Sequence, residues 1–148
     1  LKRFGAVLEI GARGELWNWR GNAVGRLAEI IVLDQFSRNV WRDTPRAFSQ
    51  DGMALVLTQE IIALGLDKDF TEAQRSFAYM PLMHSEEIVD QLNSIAYFNL
   101  LGPRYGRAFA VAHYSMVARF GRFPHRNPVL GRVSTPAEER AVAAGNHW

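Results

Sequence analysis

The sequence has no cysteine, and lysine is nearly absent: only Lys2 and Lys68 occur among 17 basic residues. Without cysteine the chain forms no disulfide framework and no thiolate metal site, which favours a reducing compartment such as the cytoplasm. The formal net charge of +2 is too small to indicate a nucleic-acid partner. The preference for arginine fits either a GC-rich genome or bidentate pairing with carboxylates and anionic ligands.

Long apolar runs are lacking as well. The longest candidate, residues 28–33, contains Glu29 and stops at Asp34, whereas a membrane span needs roughly 20 apolar residues. We therefore predict no membrane partner. With 148 residues, 48% hydrophobic and 22% charged, the chain has the size and composition of one globular domain. We predict a single helical domain over residues 1–148.

Helices with recognisable start and stop residues fill the sequence, and no segment alternates as a half-buried strand does. Short connections between such helices favour antiparallel neighbours. The predicted fold is therefore all-α, a set of stacked antiparallel helical hairpins. The start signals are Asn22, Thr44, Asp51, Thr71, Ser85 and Thr135, and the stop signals are Gly65, Gly102 and Gly121.

Apolar periodicity predicts which helix faces are buried. The segment that Asn22 opens is apolar on all sides, which predicts a central helix ending in the polar group that begins at Asp34. Pro81 must kink or end a later helix. In the helix after Ser85 we expect one face to pack in the core. The residues of that face are Ile88, Val89, Leu92, Ile95 and Ala96.

Asp34 is the first candidate functional residue, because it follows an all-apolar helix and is expected to be buried. A buried carboxylate needs a partner, and Arg38 lies four residues on, on the same helical face. The pair is either a structural lock between a helix end and the core or part of a pocket. Gln35 lies on the apolar stripe and adds to the pocket interpretation, and Asn39 completes the polar group.

Three histidines form the second group of candidates. His84, His113 and His125, together with Glu86, could in principle hold a metal ion. No two of them have the HExxH type of spacing, so we predict no metal and no cofactor. The loop over residues 122–132 mixes arginines with aromatic residues, as phosphate or base sites do. We favour instead an ordered loop whose arginines pair with Asp34 or around Glu86, and which brings His125 near His84.

Three motifs resemble a bacterial family designated domain of unknown function 924. They are residues 33–39 (LDQFSRN), the segment from Tyr79-Met80-Pro81-Leu82 through His84-Ser85-Glu86 to Gln91, and residues 120–132, which begin FGRFPHRN. The resemblance runs from about Phe4 to Glu138. Ser37 replaces a usual proline, and Leu92 replaces a usual acidic residue. The resemblance implies a helical fold similar to tetratricopeptide-repeat domains, no established activity, and an absent N-terminal segment.

Two classes of function remain open. The architecture favours a module that presents a groove to a protein or peptide. The polar motifs favour instead a protein that binds a small anionic ligand, or an enzyme, and here we predict no particular catalytic residue. Burial and mutual pairing of the motifs would remove support from the second class. The candidate polar site consists of Asp34, Gln35, Arg38, Asn39, His84, Glu86, Gln91, Arg122, His125, Arg126 and Asn127.

Overall fold

The computed structural model describes residues 2–148, in which helices and turns occur without any strand. The predicted all-α fold class is therefore confirmed. The chain divides into two compact units, of which the first ends at Leu82 and the second is Met83–Trp148. Each unit is described by itself below. A single domain of stacked hairpins, and a tetratricopeptide-like arrangement, stay predictions about the whole chain.

Five helices build the first unit: α1 (Lys2–Ala12), α2 (Ala23–Ile31), α3 (Ser37–Val40), α4 (Asp51–Ala63) and α5 (Glu72–Met83), the last ending one residue beyond the unit. Asn22 caps α2 as predicted, since its side-chain oxygen accepts a hydrogen bond from the backbone N–H of Gly25 at 2.7 Å. Gly65 follows α4 with φ of 66°, a conformation in which glycine is favoured.

The helix that begins at Ala23 ends at Val40, directly after the polar group from Asp34 to Asn39 in which its end was predicted. It continues through a π-helical turn, Val32–Phe36, directly into α3. The hydroxyl of Ser37 donates to the carbonyl of Leu33 at 2.6 Å inside this turn. The wider turn buries Asp34 together with two apolar neighbours, and such π turns are frequent at functional sites.

Some start signals in the first unit work as predicted and others do not. The capping box of Thr71 and Gln74 is confirmed by hydrogen bonds of 2.9 and 3.1 Å. Asp51, however, is the first residue of α4 and not its cap, because its carboxylate is engaged by an arginine from α3. Thr44 opens only a 3-10 turn, Pro45–Phe48.

Four helices build the second unit: α6 (Ile88–Leu101), α7 (Arg107–Phe120), α8 (Asn127–Leu130) and α9 (Pro136–Ala143). α6 and α7 pack against each other and are joined through Gly102 and Gly106, which have φ of 80° and 101°. A capping box of Thr135 and Glu138 opens α9, as predicted. The loop predicted over residues 122–132 contains a 3-10 turn and α8, so it is regular over most of its length.

Candidate functional site

The segment that carries His84 joins α5 to α6 and is fixed by two buried side chains. The side-chain nitrogen of Gln91 donates to the carbonyls of Met83 and Ser85, at 2.8 and 2.7 Å. The guanidinium of Arg126 donates to the carbonyl between them, that of His84, at 3.0 Å. Three consecutive carbonyls are thus anchored, which sets the position of the His84 side chain.

Ser85 does not cap the following helix directly, which corrects the sequence interpretation. α6 begins at Ile88. The Ser85 hydroxyl donates to the carboxylate of Asp90 at 2.6 Å and accepts a hydrogen bond from the backbone N–H of Glu87 at 3.1 Å. Asp90 is thereby retained on the buried side of α6.

Glu86 pairs with two arginines of the loop. Arg132 lies 2.8 Å from the Glu86 carboxylate and Arg126 lies 3.5 Å from it. Arg132 also donates to the side-chain oxygen of Asn127 at 2.9 Å and to the carbonyl of Phe123 at 3.1 Å. These bonds tie the loop to the segment before α6, so the His84 and His125 motifs lie together in the second unit.

Arg122 pairs with Glu138, and not with Glu86 or Asp34 as the sequence suggested. Its guanidinium donates to both carboxylate oxygens of Glu138, at 2.8 and 2.9 Å, and Asn127 adds a bond of 3.3 Å. The hydrogen bond from Arg122 is the main cause that lowers the pKa of Glu138 to about 2, with the backbone N–H of Thr135 second. This network locks the loop to the start of α9.

His113, a residue of α7, lies at the centre of a cluster of aromatic rings. Its Nδ1 lies 2.7 Å from the carbonyl of Phe109, and its ring stacks on Trp148 with centroids 3.9 Å apart. The His84 ring lies 6.2 Å away. His125 reaches the same cluster, with its centroid 5.5 Å from that of Trp148.

The His113 imidazole is held in its neutral form. Desolvation by burial lowers its pKa to about 3, against the hydrogen bond from its ring to the carbonyl of Phe109, which acts in the opposite direction. Electrostatic repulsion from the neighbouring His84, His125 and Arg126 side chains lowers the pKa of His113 further. In its neutral form Nδ1–H donates to the Phe109 carbonyl. The ring then packs as an apolar group.

The side chains of the cluster do not assemble a metal centre: within residues 2–148, no group of three or more His, Asp or Glu could hold an ion. In the same part of the chain, no helix is long and apolar enough to cross a membrane. The polar groups at the cluster are the imidazoles and the Arg126 guanidinium, with Glu86 as the nearby carboxylate.

The Asp34 motif belongs to the first unit. Asp34 is only 1% exposed and accepts hydrogen bonds from Arg38 at 3.0 Å and from Gln35 at 2.6 Å. Arg38 also makes a bidentate pair with Asp51, at 2.8 and 3.0 Å. Asn39 is exposed and donates to the backbone carbonyl of Gln35. The expected burial of Asp34 and its pairing with Arg38 are confirmed.

The structure contains a second buried ion pair that was not predicted from the sequence. Glu29 is completely buried, and Arg20 binds both of its carboxylate oxygens at 2.8 Å. The available signal was a glutamate inside the apolar run over residues 28–33. We used that glutamate only to exclude a membrane span, although a buried carboxylate also demands a cationic partner.

The two sides of α6 are exchanged relative to the prediction. The side turned inward carries Asp90, Gln91 and Ser94 in its first half, followed by the apolar Phe98 and Leu101, all buried. Four of the five apolar residues expected in the core are exposed, among them Val89 at 66% and Leu92 at 53%, and Ile95 is half-buried. Both sets recur at helical spacing, so periodicity alone cannot choose between them.

Two of these polar residues, Asp90 and Gln91, fix the segment before the helix. The Gln91 amide donates to the carbonyls of that segment, and the Asp90 carboxylate accepts from the Ser85 hydroxyl; both contacts require the inward orientation. Leu100 continues the outward apolar side and is 82% exposed. We name the outward stripe the α6 face and define it by Val89, Leu92, Ala96 and Leu100.

Comparison with known proteins places the chain in a family. A family model described as a bacterial protein of unknown function matches residues 1–146. The chain is similar to the structure of a protein of unknown function from Agrobacterium tumefaciens, with 38% identity and a TM-score of 0.92, covering 97% of this chain and 81% of that one. A search among curated proteins found no match. The chain therefore belongs to the bacterial family designated domain of unknown function 924.

Proposed function

We propose that the protein is a binding module whose contact surface is the α6 face. The observation that carries the proposal is the inversion of α6, which buries polar residues and exposes Val89, Leu92 and Leu100. Single exposed apolar residues need no explanation, whereas a contiguous apolar patch marks an interaction site. A helix that exposes an apolar stripe in addition to the side it buries is suited to contact another molecule.

The geometry of the stripe indicates the kind of partner. Val89, Leu92, Ala96 and Leu100 follow one another at intervals of three or four residues, so they form a line along one side of a helix about 21 Å long. Such a line interdigitates with the ridges of a second helix. An amphipathic helix is therefore the partner that the α6 face fits best.

The polar motifs give less support to an enzyme. Asp34 is paired with Arg38, Glu86 with Arg126 and Arg132. Most of the candidate residues thus form hydrogen bonds with one another. This pattern is typical of structural locks that hold helix ends and loops, which are also what a rigid binding surface requires.

A small anion bound beside the histidine cluster is the second candidate function. Its support is the concentration of His84, His125 and Arg126 around a neutral His113, a set that a phosphate or carboxylate would complement. A thermal-shift titration with phosphate and small dicarboxylates tests it, because a ligand at about 100 times its Kd adds roughly 2.7 kcal/mol of stability. If neither ligand raises the melting temperature, or if Arg126→Met leaves the rise unchanged, this candidate is eliminated.

The binding-module proposal is tested with a fluorescent probe on the α6 face. Because the chain has no cysteine, Asn93→Cys provides a unique attachment site beside the stripe, and Glu139→Cys on α9 provides a matched exposed control. The dye is titrated with synthetic amphipathic helical peptides whose leucines repeat the spacing of the stripe. We expect a saturable blue shift at position 93 and none at 139.

Leu92→Glu in the labelled chain supplies the specificity control. This change should abolish the shift, because a carboxylate on the stripe must be desolvated when the partner binds. If the probe at position 93 responds neither to the peptides nor to added unlabelled protein, the binding-module proposal fails.

A further inference from the structure

We propose that the α6 face binds the α6 face of a second copy of this chain, with the two helices antiparallel across a two-fold axis. The inference rests on the proposed function, since it names the partner of the same surface. It follows from two properties of the stripe, the order of its side chains and the charges at its ends.

The order of side chains along α6 is self-complementary. In an antiparallel pair centred between Asn93 and Ala96, Val89 lies opposite the partner's Leu100, and the same contact recurs on the other side of the axis. The smaller residues Asn93 and Ala96 meet at the centre, where they allow the helix axes to approach. Leu92 fills the interval between the centre and the end. One patch serves both copies, as an isologous two-fold interface requires.

The charges at the two ends of α6 select the antiparallel orientation. Exposed Glu87 precedes the helix, and exposed Arg104 follows it. The antiparallel arrangement places Glu87 of one copy beside the partner's Arg104, twice in each dimer. A parallel arrangement would instead place like charges together at both ends, which is unfavourable. Such rim charges steer orientation more than they add affinity.

The size of the surface sets the expected strength. One pair of 14-residue helices buries less than the roughly 800 Å² per partner of a standard stable interface. We therefore expect a dimer that dissociates in the micromolar range. Leu100, which is 82% exposed in the single chain, is the large residue of the stripe with the largest exposed fraction to bury.

Sedimentation equilibrium of the full chain from about 1 to about 300 µM tests the inference, since mass action drives a weak dimer. We expect the mass to rise from that of one chain towards twice that value. Leu100→Glu should remain monomeric throughout. The matched control Val133→Glu, at an apolar residue that is 87% exposed outside the α6 face, should dimerise like the unmodified chain.

Charge reversal tests the orientation. Glu87→Arg should weaken the dimer about tenfold, and the double variant Glu87→Arg with Arg104→Glu should restore it, because the reversed pair is again complementary. Circular dichroism of each variant establishes that the helices are intact.

The outcomes separate the inference from the proposal beneath it. A chain that stays monomeric at every concentration, while the probe at Asn93 still responds to helical peptides, overturns the second copy as partner and leaves the binding module standing. A dimer that survives Leu100→Glu overturns the α6 interface. Failure of the double charge reversal to restore association overturns the antiparallel arrangement.

Discussion

Acidification should destabilise the protein through His113 at a higher pH than through Glu138. The buried imidazole has a pKa of about 3 in the folded chain, against about 6.5 in an unfolded one. The folded state therefore resists protonation and the unfolded state accepts it. For a histidine of depressed pKa, the stabilising contribution is present above pH 6.5 and is lost progressively as the pH falls towards 3.

The magnitude follows from proton linkage. Each pH unit below the unfolded pKa removes about 1.4 kcal/mol of stability for one proton taken up only on unfolding. Between pH 7 and pH 5 this amounts to about 2 kcal/mol. Glu138, whose pKa is lowered to about 2 from 4.5, loses its contribution only as the pH falls below about 4.5. The window from pH 7 to 5 therefore separates the contribution of His113 from that of Glu138.

Urea denaturation followed by circular dichroism at pH 7 and pH 5 measures the effect. His113→Asn is the informative variant, because the asparagine amide can replace the ring Nδ1–H as donor to the Phe109 carbonyl and does not titrate. We expect the unmodified chain to lose about 2 kcal/mol more than His113→Asn between the two pH values. His147→Asn, at an exposed histidine, should lose as much as the unmodified chain. Equal losses in the unmodified chain and His113→Asn would refute a buried, neutral His113.

Two further pairs of substitutions test the packing of the first unit. Arg38→Met should lower the free energy of unfolding by about 3–5 kcal/mol, because it leaves the Asp34 carboxylate buried without its cation. Asp34→Asn should lower it by only about 1–2 kcal/mol, because the guanidinium keeps its second carboxylate partner. Denaturation midpoints in the reverse order would contradict this account. Gly25→Ala should destabilise by about 1–3 kcal/mol, since its Cβ would lie 1.9 Å from the carbonyl oxygen of Trp19. Gly52→Ala, whose Cβ meets open space, should stabilise α4 by about 0.5–1 kcal/mol. If the melting temperatures of the two alanine variants change in the same direction, the clash at Gly25 is excluded.

Features with local causes could be predicted from the sequence. The capping boxes at Thr71 and Thr135 formed as expected because the first and fourth residues of a box bond to each other reciprocally. The pairing of Asp34 with Arg38 was also accessible, since both lie on one face of a helix. In each case the residues that decide the outcome are fewer than five positions apart.

Features decided by distant residues could not be predicted. Arg122 reaches Glu138, sixteen positions away, and nothing in the local pattern distinguishes this carboxylate from that of Glu86. The prediction of the orientation of α6 was wrong for a related reason. Its apolar stripe predicted burial, but Gln91 is required inside to hold the carbonyls of Met83 and Ser85, a demand that arises only from the position of the preceding segment.

The orientation of α6 is the claim on which the binding surface depends, and two substitutions measure it directly. Leu92→Glu should change the free energy of unfolding by about 0.5 kcal/mol or less, as expected for an exposed site. Gln91→Glu should cost about 3 kcal/mol or more, because a buried carboxylate would face the two carbonyl oxygens that the amide now donates to. The reverse result, a costly Leu92→Glu and a tolerated Gln91→Glu, would place the apolar stripe in the core and leave the protein without the α6 face.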